Sequence, residues 1–78
     1  MEMGHLAAML IRLDNHALID DLCAHYRRSD FTVEHVGGGM IEVTRNGASS
    51  PEQERREVSM HLRVWEAVNP NARAELLH

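Results

Sequence analysis

The sequence predicts an α+β fold: an antiparallel sheet of three or four strands carrying two helices on one face, in the order β-α-β-β-α with a tail able to add a last strand. Three observations lead there. Apolar residues recur at every second position in segments 6–13, 31–36 and 40–45, the period of a strand with one buried face. Segments 16–29 and 51–68 change to the helical period. Gly37-Gly38-Gly39 joins two of the alternating segments, as the turn of a hairpin does. With 78 residues there is room for one core, so 1–78 is expected to be a single domain.

In segment 6–13, Met9, Ile11 and Leu13 share a face, and Arg12 interrupts the other. Asp14 and Asn15 end the strand and offer an N-cap to the helix after them. Within 16–29, Leu18, Ile19, Leu22 and Tyr26 form a stripe with Cys23 at its margin. Asp20 and Asp21 come early and Arg27 and Arg28 late, which suits the helix dipole. In the hairpin, Phe31, Val33, Ile41 and Val43 point one way, and Thr32, Glu34, Glu42 and Thr44 the other. Ser50-Pro51-Glu52-Gln53 is a helix start, with serine at the N-cap, proline at the first turn and glutamine three residues on. The helix should stop before Asn69-Pro70. The tail at 72–77 alternates like a strand but has helix-forming residues, so it reads as a short strand or a helical turn.

Helix 51–68 carries the most informative pattern. Val58, Leu62 and Trp65 make one stripe, and Met60, Val64 and Val68 widen the apolar arc to about half the circumference. One sheet face covers less than that. The excess has to meet the first helix, another subunit or water. A chain of this size has few staples, because Cys23 is alone and no disulfide can form within it. A homo-oligomer with Met60, Val64 and Val68 in its interface is therefore the expectation.

The net charge of −4 argues against nucleic-acid binding through phosphates. All eight basic residues are arginine, the codon preference expected of a GC-rich, bacterial genome. The apolar run from Leu6 to Ile11 is too short for a signal or membrane segment, so a cytoplasmic protein without membrane contact is expected.

Six histidines invite a metal reading. Helical spacing brings His16 near Asp20, Asp21 near His25 and Glu57 near His61, pairs able to contribute to a Zn²⁺ or Ni²⁺ site. No closed ligand set accompanies them, and solvated histidines are the expectation. Cys23 has acidic Asp20 beside it, which raises a thiol pKa and disfavours a nucleophile. Gly37-Gly38-Gly39 leads into a strand rather than a helix and so lacks the context of a phosphate loop. Arg27-Arg28 and Arg55-Arg56 read as solvated helix faces, and Trp65 as core. The residues thus predict no catalytic residue, cofactor site or metal site.

The strand ending at Asp14, the helix through Leu18 and Leu22, the glycine hairpin and the helix after Ser50-Pro51 together resemble ferredoxin-like β-α-β-β-α-β domains. Among these, the layout is most similar to the ACT-type ligand-sensing modules. Where such modules carry a Pro-Gly-like step after the aspartate, this chain has Asn15-His16-Ala17. The resemblance implies a fold and not a function, and the first functional expectation is a non-catalytic, homo-oligomeric binding or regulatory module with its ligand unspecified. Two alternatives stand beside it: an interaction subunit that docks another protein through helix 51–68, and a small dimeric enzyme using His16 or His35 as a base.

Overall fold

The structure, a computed structural model, describes residues 9–77. Four strands, β1 (Met9–Leu13), β2 (Phe31–Gly37), β3 (Met40–Arg45) and β4 (Ala74–Leu76), form one antiparallel sheet in the order β2-β3-β1-β4. The helices are α1 (Ile19–Arg28), preceded by a 3-10 turn at His16–Leu18, and α2 (Pro51–Val68). β1 therefore pairs with β3 and not with β2, the strand that follows it in sequence. Each helix carries the chain past one intervening strand: α1 past β3, and α2 past β1. The start of the first predicted strand, residues 6–8, lies outside the described residues.

Local chemistry explains the boundaries. Asn15 caps the first helical segment, its Oδ1 accepting from Ala17 N at 3.1 Å. That turn is 3-10 rather than α, so Leu18 is only half-buried and the buried stripe begins at Ile19. α1 ends through Ser29, and Asp30 then takes φ 68°, a left-handed conformation that short polar residues tolerate. At α2, Ser50 Oγ accepts from Gln53 N at 3.1 Å. The Gln53 side chain reaches back to Ser49, not Ser50, accepting from its N–H at 3.0 Å. The tail forms β4 because it is tied to β1: Asp14 N donates to Arg73 O, and Asp14 Oδ1 accepts from Arg73 N. Backbone pairing at both ends of β1 thus decides for a strand over a helical turn at 74–76.

Both helices pack on the same sheet face and share one hydrophobic cluster with it. Met9, Ile11, Leu13, Phe31, Val33, Ile41 and Val43 face Ile19, Leu22, Cys23, Tyr26, Val58, Leu62 and Trp65. Thr32, Glu34, Glu42 and Thr44 lie on the open face, as one-sided burial of an antiparallel sheet allows. Cys23 is not at the margin but within the core, at 4% exposure. Its stripe position, one residue from Leu22, is covered because β2 packs closely along α1.

Tyr26 is fully buried, and its hydroxyl donates to Val58 O on α2 at 2.7 Å while its ring meets Phe31 edge-on at 5.1 Å. Burial, reinforced by the Glu66 charge, pushes its phenol far above the ordinary value, so the hydroxyl remains a donor throughout the accessible pH range. Trp65 is also buried, and its indole N–H donates to Asp21 Oδ2 at 2.9 Å. Glu54 is the one buried charged residue among the described residues, at 1% exposure. Its Oε2 accepts from the Arg45 backbone N–H at 2.7 Å, fastening the start of α2 to the end of β3.

These ties predict two stability effects of different size. Leu62→Ala should cost about 2–4 kcal/mol through lost transfer energy and a cavity. Tyr26→Phe keeps the ring packing and should cost only about 1 kcal/mol for the lost hydrogen bond. Urea unfolding at fixed protein concentration measures both. A Leu62→Ala variant as stable as the parent would contradict the packing of α2, and an unaffected Tyr26→Phe would contradict the hydroxyl's role.

Candidate functional site

α2 is long enough to have a complete outer side. With Val58, Leu62 and Trp65 turned into the core, the helical period places Met60, Val64 and Val68 on a flank about 80–160° away from Val58. They are exposed at 54%, 54% and 75% respectively. The alternative expectation, that α1 covers this arc, is thus corrected. Contact between the helices runs through Asp21, His25 and Tyr26 to Trp65, His61 and Val58, nearer the sheet. Arg56, Ser59, Met60, Arg63 and Val64 line a shallow groove of about 400 Å³ on the outer side. Val68 continues the flank beside Leu18, across a cleft of about 260 Å³ at the start of the first helical turn.

A second concave region lies where β1 ends. Arg12, Asp14, His16, Gly38, Arg73 and Glu75 are among the residues around an open cleft of about 420 Å³. Gly39 positions this end of the molecule. Its φ is +76°, its carbonyl accepts from Leu13 N at 2.7 Å, and a Cβ there would collide with the His16 ring and come within 2.8 Å of Leu13 O. Arg12 and Glu75 pair across the sheet at 2.8 Å, with both side chains more than half exposed. Asp14 spends one oxygen on Arg73 N. The guanidinium of Arg73 has no hydrogen-bond or ion-pair partner among the described residues. His16 faces this cleft, whereas His35 is exposed on β2, and the structure does not bring the two together.

The remaining polar residues form a cluster at the junction of β3 with both helices. Arg45 pairs with Glu57 through its Nε and with Asp30 at 3.7 Å, and it covers the Phe31 ring at 5.5 Å. Gln53 Nε2 donates to the other Glu57 oxygen at 3.1 Å. The Arg45 and Gln53 hydrogen bonds hold the Glu57 carboxyl below its usual range. His61 lies edge-on to Phe31 at 5.1 Å, and His25 Nε2 donates to the His61 carbonyl at 2.9 Å. Burial, and then the neighbouring His25, lower the His61 imidazole, with Glu57 pulling the other way.

Two of the three pairs that the helical spacing suggested for metal are engaged otherwise, and in the third His16 lies in the 3-10 turn while Asp20 lies in α1. Asp21 holds the Trp65 indole, His25 holds a backbone carbonyl, and Glu57 holds Arg45. Among the described residues no three His, Cys, Asp or Glu side chains come together around one point. Burial raises the Cys23 thiol, Arg27 opposing and Asp20 adding to the effect, so it is a protonated core group. No helix among the described residues is long and apolar enough to cross a membrane. Glu54 and Arg73 escaped the sequence reading. Glu54 lies in an acidic run with Glu52 and Glu57 that looks like a solvated face. Arg73 lies in a tail whose residues suit a strand or a helical turn.

The histidine and carboxylate at the β3–helix junction give a signed pH dependence. The folded His61 binds its proton less tightly than the unfolded chain does, near 6.5. Stability is therefore full above that value, declines as pH falls below it, and levels off once the folded imidazole is protonated too. Glu57 contributes above its ordinary 4.5 and loses its contribution as pH falls through its lower folded value. Urea midpoints should thus fall on acidification from neutrality toward pH ~5. His61→Gln should flatten that decline, whereas Glu57→Gln should remove the more acidic loss and, by taking away the charge that opposes the His61 shift, deepen the decline below 6.5. An unchanged slope in His61→Gln would contradict the assignment.

The chain matches no protein-family model, and it is similar to no curated protein and no solved structure, so the geometry above is what a functional reading rests on.

Proposed function

We propose that this chain is a non-catalytic binding or regulatory module that works as a homo-oligomer, with the outer flank of α2 as its contact surface. The observation that carries this reading is the exposure of Met60, Val64 and Val68 on a helix whose other side is fixed in the core. Three large apolar side chains on neighbouring turns are a contiguous patch rather than scattered exposure. A 78-residue chain without an internal disulfide gains stability by burying such a patch against a second copy.

The element order β-α-β-β-α-β agrees with the plan of ferredoxin-like domains, and so favours a small regulatory domain of that type, ACT-like in layout, acting in the cytoplasm. Fold alone does not assign the ligand. The chemistry favours binding over catalysis. Among the described residues no hydroxyl or thiol lines the cleft beside the His16 imidazole, and Cys23 is buried and protonated.

An interface on this flank should bury at least ~1,000 Å² in total. Sedimentation velocity of wild type and Val64→Asp tests it. The wild type should sediment as more than the 8.9 kDa chain, and Val64→Asp should shift it toward monomer while leaving the far-UV circular dichroism unchanged. A wild type that stays monomeric at tens of micromolar, or a mutant that associates like the parent, would contradict the proposal. In the first case the same patch would be left to a different protein.

A further inference from the structure

Resting on that reading, we infer that the partner of the α2 flank is the open sheet face of a second copy, so that copies join head to tail and not helix to helix. The charges on the two faces point this way. The outer side of α2 carries exposed Arg56 and Arg63 beside Met60 and Val64, and Arg55 is exposed elsewhere on the helix. The described ion pairs engage only Arg12 and Arg45 among the arginines, so these three have no such partner among the described residues. The exposed acid on α2 is Glu52, in its first turn, where it suits the helix dipole.

A twofold helix-to-helix contact uses the same patch twice. It would bring Arg56 and Arg63 of both copies into one interface, four arginines against the two copies' Glu52, which lies one turn before Arg56. Like charges set face to face in this way disfavour association.

The open sheet face has the opposite character. Glu34 on β2 and Glu42 on β3 are register partners, so two carboxylates stand side by side on adjacent strands. Such like-charge pairs are unfavourable in a sheet. Neither has an ion-pair partner among the described residues. Thr32 and Thr44 flank them in a shallow depression of about 110 Å³. Half-buried Leu10, the register partner of Glu42, and Met40 supply apolar surface beside the acids.

Each face thus combines a few apolar side chains with an unpaired charge of opposite sign. Arg56 and Arg63 lie ~10 Å apart along α2, on either side of Met60. Their long side chains can converge on the carboxylate pair while Met60 and Val64 meet Leu10 and Met40. This contact leaves one helix face and one sheet face free at the ends, so it continues into a ring or an open chain of copies.

Charge exchange tests this. The helix variant is Arg56→Glu with Arg63→Glu, the sheet variant is Glu34→Arg with Glu42→Arg, and the third variant combines all four changes. Sedimentation velocity of each is compared with wild type at low salt, with circular dichroism as the check on folding. We expect the helix variant and the sheet variant each to be monomeric, and the combined variant to recover assembly because both signs are reversed. A milder Glu34→Gln, Glu42→Gln variant, which keeps the fold should the arginine pair disrupt it, should weaken association about tenfold. A sheet variant or glutamine variant that assembles like wild type while the helix variant does not would overturn the inference and leave the oligomer reading standing. A combined variant that stays monomeric although folded would overturn it as well. A monomeric wild type would remove the oligomer reading itself.

Discussion

The roll of α2 about its own axis is the constraint on which the rest of this structure depends. Three polar ties set it from the inside. Glu54 grips the Arg45 N–H at the first turns, the Tyr26 hydroxyl reaches Val58 O near the middle, and the Trp65 indole reaches Asp21 near the end. Each tie is made by a buried side chain, where an unmade hydrogen bond is expensive, so the three together resist rotation more firmly than apolar packing alone. Hydrophobic contacts are non-directional and would tolerate a helix turned by one side chain. The hydrogen bonds make that turn costly.

The outward residues follow from this. With Val58, Leu62 and Trp65 held inward, Met60, Val64 and Val68 are left exposed by the described residues. Tyr26 has a second consequence. By joining α1 and α2 above Phe31 it brings both helices onto one sheet face, and the other face is left carrying Glu34 and Glu42 in register. A one-sided small domain of this kind has two surfaces that differ in chemistry: a helical one rich in arginine and apolar side chains, and a flat one rich in carboxylates and threonines. Both belong to a core too small to dispense readily with further burial.

Much of the architecture is legible in the residues because its signals are local or strictly periodic. Alternation at Met9-Ile11-Leu13 and at Phe31-Val33 assigns buried faces directly, and Ser50-Pro51 marks the start of α2 by capping chemistry. What was not legible depends on groups distant in sequence. Glu54 resembles its acidic neighbours until β3 ends beside it and presents an N–H. The strand at 74–76 is decided by Asp14, some sixty residues earlier, and not by the propensities of Ala, Glu and Leu. Histidine–carboxylate pairs that spacing places together are separated in function by Trp65, Arg45 and a backbone carbonyl. The opposed Glu34 and Glu42 could be suspected only once the hairpin register was known.

Amide chemical shifts measured by heteronuclear NMR across a dilution series test most directly whether the fixed roll of α2 presents a protein contact. Shifts at Met60, Arg63 and Val64 should move with concentration, while those at the inward Val58 and Leu62 should move far less. Spectra that superimpose at every concentration, or changes confined to the inward residues, would contradict it.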